Sequence, residues 1–145
     1  YEKKENPMEE AAIVLMLKEK ESGFLTKELG CYTVSGKESL LDRIYAEETD
    51  DGIVVHMALG CEKEAEDWEY DAIFDYYDAD ALQDVVDTVA EEEGHLNPVW
   101  VVTFPFQDEA EAMEQRLSAI LQAHDAELQS VYAAIVDKKD DYCEQ

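Results

Sequence analysis

EDWEYDAIFDYYDAD, residues 66–80, is the stretch whose reading decides the fold: seven carboxylates and five aromatic rings, with no basic residue among them. Read with a period of two, Trp68, Tyr70, Ala72, Phe74 and Tyr76 share one face, and Asp67, Glu69, Asp71, Ile73 and Asp75 the other. Read with a helical period, Tyr70, Ile73, Phe74 and Tyr77 also line up. Aromatic enrichment and a helix-start signal just downstream favour a strand. On that reading Asp67, Glu69, Asp71 and Asp75 form a row of carboxylates along its solvent side, ~6.5–7 Å apart per pair of residues.

The downstream signal is Asp80 as cap with Gln83 three residues on, and Gly94 as the stop. The helix expected between them buries Leu82, Val85, Val86, Val89 and Ala90. PVWVVTFPF (98–106) then reads as a buried strand ended by Pro105. Strand, helix and strand in succession predict a right-handed crossover and a parallel pair.

Upstream, AAIVLML (11–17) is a continuous apolar run, as expected of a central strand buried on both faces. Glu21-Ser22-Gly23 turns the chain into FLTKELGCYTV (24–34), where Gly30 marks a bulge or a close approach. LLDRIYAEE and IVVHMAL flank Asp50-Asp51-Gly52, a hairpin over about 41–59. Downstream, Asp108 and Glu111 form a capping-box pattern, and no Gly or Pro follows. Leu117, Leu121, His124, Leu128, Val131 and Ile135 make one stripe on a helix of about 30 residues, roughly 45 Å long. A domain of this size is only about 30–40 Å across. The helix must therefore bend, project or pack on a second copy, and for the last Leu121, His124, Leu128, Val131 and Ile135 are the candidate surface of a homodimer.

The reading is one α+β domain over residues 11–138. It has a mostly antiparallel sheet of about six strands, a strand–helix–strand crossover and a long C-terminal helix, with the helices on one face. Residues 1–10 read as a disordered N-terminal segment or an expression remnant, and 139–145 as a disordered tail. Residue 1 is Tyr, so either upstream sequence is absent or Met8 is the start. The stretches SGFLTKEL and AIFDYYDAD, and the general arrangement, resemble a clostridial family of small uncharacterised domains. That resemblance carries no activity and no site residues.

The formal net charge is −26, and residues 46–115 hold 22 carboxylates against one base, Lys63. Such a chain repels nucleic acid and anionic membranes, which argues against direct binding to either, and attracts basic proteins or peptides. No apolar run approaches the ~20 residues of a membrane span. Three widely spaced cysteines, Cys31, Cys61 and Cys143, fit reduced thiols in the cytoplasm.

Cofactor motifs fail one by one. Gly30…Gly36-Lys37 is a residue too long for a phosphate loop, and Glu38 stands where Ser or Thr must hold Mg²⁺. Cys31 and Cys61 lack a local signature with His56 or His95, and His124 reads as a residue at the edge of the core. Asp75, Asp78, Asp80 and Asp84 cluster as divalent-cation ligands would, without the Gly and Glu of an EF-hand. With 37 acidic residues, any carboxylate pair can be proposed as catalytic. No cofactor is expected. The leading reading is a non-enzymatic domain that binds proteins through Asp67, Glu69, Asp71 and Asp75. A DNA-mimic inhibitor of a DNA-binding protein and a divalent-metal-dependent enzyme are the alternatives.

Overall fold

A computed structural model describes residues 10–19, 21–35 and 37–142. In chain order the strands and helices are β1 (Glu10–Lys18), β2 (Leu25–Ser35), β3 (Leu41–Thr49), β4 (Gly52–Leu59), α1 (Asp67–Tyr76), β5 (Thr88–Glu92), β6 (Val99–Pro105), α2 (Ala110–Ile135) and α3 (Lys139–Tyr142). Short 3₁₀ turns cover Glu38–Leu40 and Ala79–Leu82. The six strands form one sheet in the order β2-β1-β3-β4-β6-β5. All neighbours are antiparallel except β1 and β3, which pair briefly at Leu17–Ala46 and Lys18–Glu47. The class is α+β.

The first four strands follow the local signals. Gly52, at φ +128°, closes the β3–β4 hairpin opposite Thr49. Gly30 sits beside a register shift in the β1–β2 ladder, and a Cβ there would lie 2.6 Å from Tyr32 Oη, so bulge and close approach both hold.

Residues 67–76 are helical, which overturns the strand reading. The outward side of that strand would have carried Ile73, which is 2% exposed. Helical spacing instead turns Ile73 inward with Ala72, while Tyr77 one turn further on is also buried. Glu69 Oε1 accepts from the Glu66 N–H at 2.9 Å, and Asp67 and Glu69 place negative charge at the positive end of the helix.

The helix expected from Asp80 is absent as well. Asp78, not Asp80, supplies the cap, its Oδ1 accepting from Asp80 N–H at 3.0 Å, and a single 3₁₀ turn follows. β5 then pairs antiparallel with β6, Val89 opposite Val102, so there is a hairpin where a crossover was expected. A helix there would have ended on Glu91-Glu92-Glu93, against the negative end of its dipole. The β-branched Thr88 and Val89 suit the strand better.

One face of the sheet carries the core. Ile13 and Leu15 of β1, Val55, Met57 and Leu59 of β4, and Trp100, Val102 and Phe104 of β6 meet Met113, Leu117, Ile120 and the rest of the α2 stripe. α2 starts at Ala110 behind Glu109, whose side chain makes no capping bond, so the start falls one residue past the expected Asp108 and the Asp108–Glu111 capping box does not form. Near its start Glu114 Oε2 accepts from Thr33 N–H of β2 at 2.8 Å. Further along, Glu127 Oε2 accepts from Asp78 N–H beyond α1 at 2.9 Å.

α1 thus gives the far half of α2 the partner that the strand reading denied it. Leu121, His124, Leu128, Val131 and Ile135 are all buried inside the single chain, so the stripe offers no surface to a second copy. Residues 139–142 form a helical turn where a disordered tail was expected. The N-terminal segment expected to be disordered lies outside the described residues except for Glu10, and residues 143–145 lie outside them too.

Candidate binding groove

α1 keeps most of the expected acidic row on one side. Asp67, Asp71 and Asp75 recur every four residues, ~6 Å apart along the axis, and all three are exposed. Glu69 leaves the row, because two residues along a helix turn it about 200° from Asp67, and its carboxylate accepts from the Glu66 amide.

Asp71 and Asp75 form one wall of a groove of about 480 Å³ between α1 and the edge strand β5. The other walls are Tyr70 and Phe74 of α1, Glu91 and Glu93 at the end of β5, and Tyr142 of α3. β5 presents Glu91 here because Glu91 lies opposite Trp100, whose ring is in the core beneath α1. Its neighbour Glu92 points to the other face, where it pairs with Arg43 at 2.5 Å and His95 at 2.5 Å. Those partners hold the Glu92 carboxyl below its ordinary range, the Arg43 hydrogen bond contributing most.

The aromatic wall is braced from below. Tyr70 and Phe74 meet edge-to-face at 5.2 Å, and Phe74 meets Trp100 at 5.3 Å. Tyr142 Oη donates to Asp75 Oδ2 at 2.7 Å, and its ring lies 6.4 Å from that of Trp68. The bond to Asp75 pushes the Tyr142 phenol up to about 12. Among the described residues, the ion pairs formed by Lys, Arg and His engage Asp42, Glu47, Glu92, Asp125 and Asp137. None engages Asp71, Asp75, Glu91 or Glu93. Four carboxylates thus converge on a trough with aromatic walls and no cation of the described chain among them.

The other candidates are dispersed. Among the described residues no three His, Cys, Asp or Glu side chains are grouped to hold a metal ion. Asp75 is held by Tyr142 and Asp78 by the Asp80 amide. Cys31 is exposed on β2, and Cys61 is half-buried with its thiol 3.7 Å from the Pro98 carbonyl. Burial pushes the Cys61 thiol up to about 11, so it stays protonated near neutrality although it shares a hollow of about 270 Å³ with His95. His56 stacks on Tyr45 at 4.8 Å and meets Glu47 at 3.0 Å. His124 is wholly buried, both ring nitrogens bonded, one to Tyr77 Oη at 2.8 Å and the other to the Gly60 carbonyl at 2.7 Å. Among the described residues no helix is long and apolar enough to cross a membrane.

The sequence profile of DUF6762, described as a family of unknown function, matches residues 8–143. The chain belongs to that family. No curated protein and no solved structure matches it significantly. The match spans α1, β5 and α3, so every wall of the groove lies within the family domain. Glu91, Glu93 and Tyr142 were not legible as site residues. Glu91 and Glu93 read as the end of a helix, and Tyr142 as part of a tail.

Proposed function

We propose that this domain is a non-enzymatic binding module of the cytoplasm, and that its groove takes a basic, extended segment of another protein. One observation carries the reading: Asp71, Asp75, Glu91 and Glu93 face a single trough with aromatic walls, and no described base neutralises them. Like charges held together without counter-charge raise the local potential and draw cations in. The rings add an attraction for Lys and Arg that water alone does not. β5 closes the sheet on this side, so an incoming extended chain can pair with its free edge. Alternate side chains of such a strand face the same way as Glu91 and Glu93.

The test is calorimetric titration of the full chain with an extended peptide of alternating Arg and Gly. A companion titration uses the variant Asp71→Asn, Asp75→Asn, Glu91→Gln, Glu93→Gln. Saturable binding lost in the variant supports the reading, whereas equal binding by both proteins overturns it. The regular spacing of Asp67, Asp71 and Asp75 also keeps a DNA mimic in view. That reading demands a DNA-binding protein as partner, displaced by competing DNA.

A further inference from the structure

The groove already holds one donor of its own. Tyr142 reaches it from α3, a single helical turn beyond the end of α2, and gives its hydroxyl proton to Asp75 Oδ2 at 2.7 Å. Asp75 lies one helical turn from Asp71 on the same wall, and Glu91 of β5 and Glu93 just after it line the groove with them. The Tyr142 bond takes one of the two Asp75 oxygens, so a ligand that grips both oxygens must compete with Tyr142. The ring of Tyr142 is a different matter, because it lines the groove whether or not its hydroxyl is bonded.

Resting on the function proposed above, we infer that the group recognised is the guanidinium of an arginine, and that Tyr142 is an internal competitor which its arrival displaces from Asp75. Three features favour Arg over Lys. Its planar fork can take both oxygens of Asp75 at once, including the one that Tyr142 holds, whereas an ammonium binds as a point charge. It stacks on aromatic faces, and Tyr70, Phe74 and Tyr142 supply three rings. It is more weakly hydrated than an ammonium and so enters a ring-lined trough at lower cost. A hydroxyl seated on Asp75 also keeps that carboxylate satisfied while the groove is empty, so Tyr142 weakens binding in proportion to the bond it gives up.

The experiment compares the full chain with Tyr142→Phe and Tyr142→Ala in titrations with two nonapeptides, one alternating Arg and Gly, the other Lys and Gly. Tyr142→Phe removes the competing proton and keeps the ring. It should bind the Arg peptide about fivefold more tightly, as expected for releasing one net hydrogen bond. Tyr142→Ala removes the wall as well and should bind more weakly than Tyr142→Phe. The Lys peptide should bind more weakly than the Arg peptide to every version. An independent readout is the absorbance of ionised tyrosine. Tyr142 is held up to about 12 by Asp75, and saturating Arg peptide should move that titration. If the wild-type chain binds neither peptide, the groove reading itself fails and this inference falls with it. If it binds, but Tyr142→Phe is no tighter or Lys equals Arg, the groove stands and the competitor role is overturned.

Discussion

His124 should make the fold acid-sensitive well above the carboxylate range. A carbonyl can only accept, so Nε2 carries the proton given to Gly60 O, and Nδ1 accepts from the Tyr77 hydroxyl. The ring is packed against Trp100 at 5.3 Å and Tyr77 at 5.6 Å between centroids. Burial dominates, and it pulls the His124 pKa from 6.5 down to about 4, against smaller upward pushes from Gly60 and Asp125. The unfolded chain therefore binds this proton more tightly than the folded one. The stability contributed is complete above about pH 6.5 and is lost as pH falls toward 4. Between pH 7 and pH 5 the loss is about 2 kcal/mol. Protonation also sets an N–H at Nδ1 against the Tyr77 O–H, which must turn away without a partner. Urea unfolding at pH 7, 6 and 5 measures the slope, and His124→Gln supplies the control. The variant is less stable at pH 7 but lacks this proton, so the gap between the two proteins should close by about 2 kcal/mol on going to pH 5. The many carboxylates titrate in both and cancel. Parallel stability curves would refute the reasoning.

Two further outcomes concern charge and the long helix. With 22 acids against one base in residues 46–115, the melting temperature should rise between roughly 10 mM and 0.5 M NaCl, followed by calorimetry. A flat curve would mean these charges are too dispersed on the fold to repel. Leu128→Asp should unfold the chain, at a cost of about 4 kcal/mol or more, because it leaves a cavity and an unpaired charge in the core. Circular dichroism with light scattering separates this from the dissociation expected of an interface residue, which would leave a folded chain of half the mass.

The parts of the fold legible in the sequence are those where one period fits and the other does not. AAIVLML has no polar face to turn outward, and Asp50-Asp51-Gly52 supplies the backbone freedom a hairpin needs. The stripe from Leu117 to Ile135 fits only a helix. Residues 66–80 were ambiguous because aromatic side chains fall on a shared face under both periods. Ile73 was the discriminating residue, isolated among acids in a strand and paired with Tyr77 in a helix. Misreading α1 removed the far cover of α2 and left a second copy as one way to cover its stripe. The acidic row survived the error because Asp67, Asp71 and Asp75 are spaced by four, an even number in a strand and about one turn in a helix. Its opposite wall did not: Glu91, Glu93 and Tyr142 reach the groove by tertiary packing, which no local pattern records.

The central claim is that charge and rings on α1, β5 and α3 make one binding site. The most direct measurement is a ¹H–¹⁵N correlation spectrum of the full chain titrated with the Arg–Gly nonapeptide. Saturable shifts are expected, confined to Tyr70, Asp71, Phe74 and Asp75, the β5 edge from Thr88 to Glu92 with Glu93 after it, and Tyr142. Weak, unsaturated shifts spread over other exposed acids, such as Asp51 at the β3–β4 turn, would contradict it, as would no shifts at all.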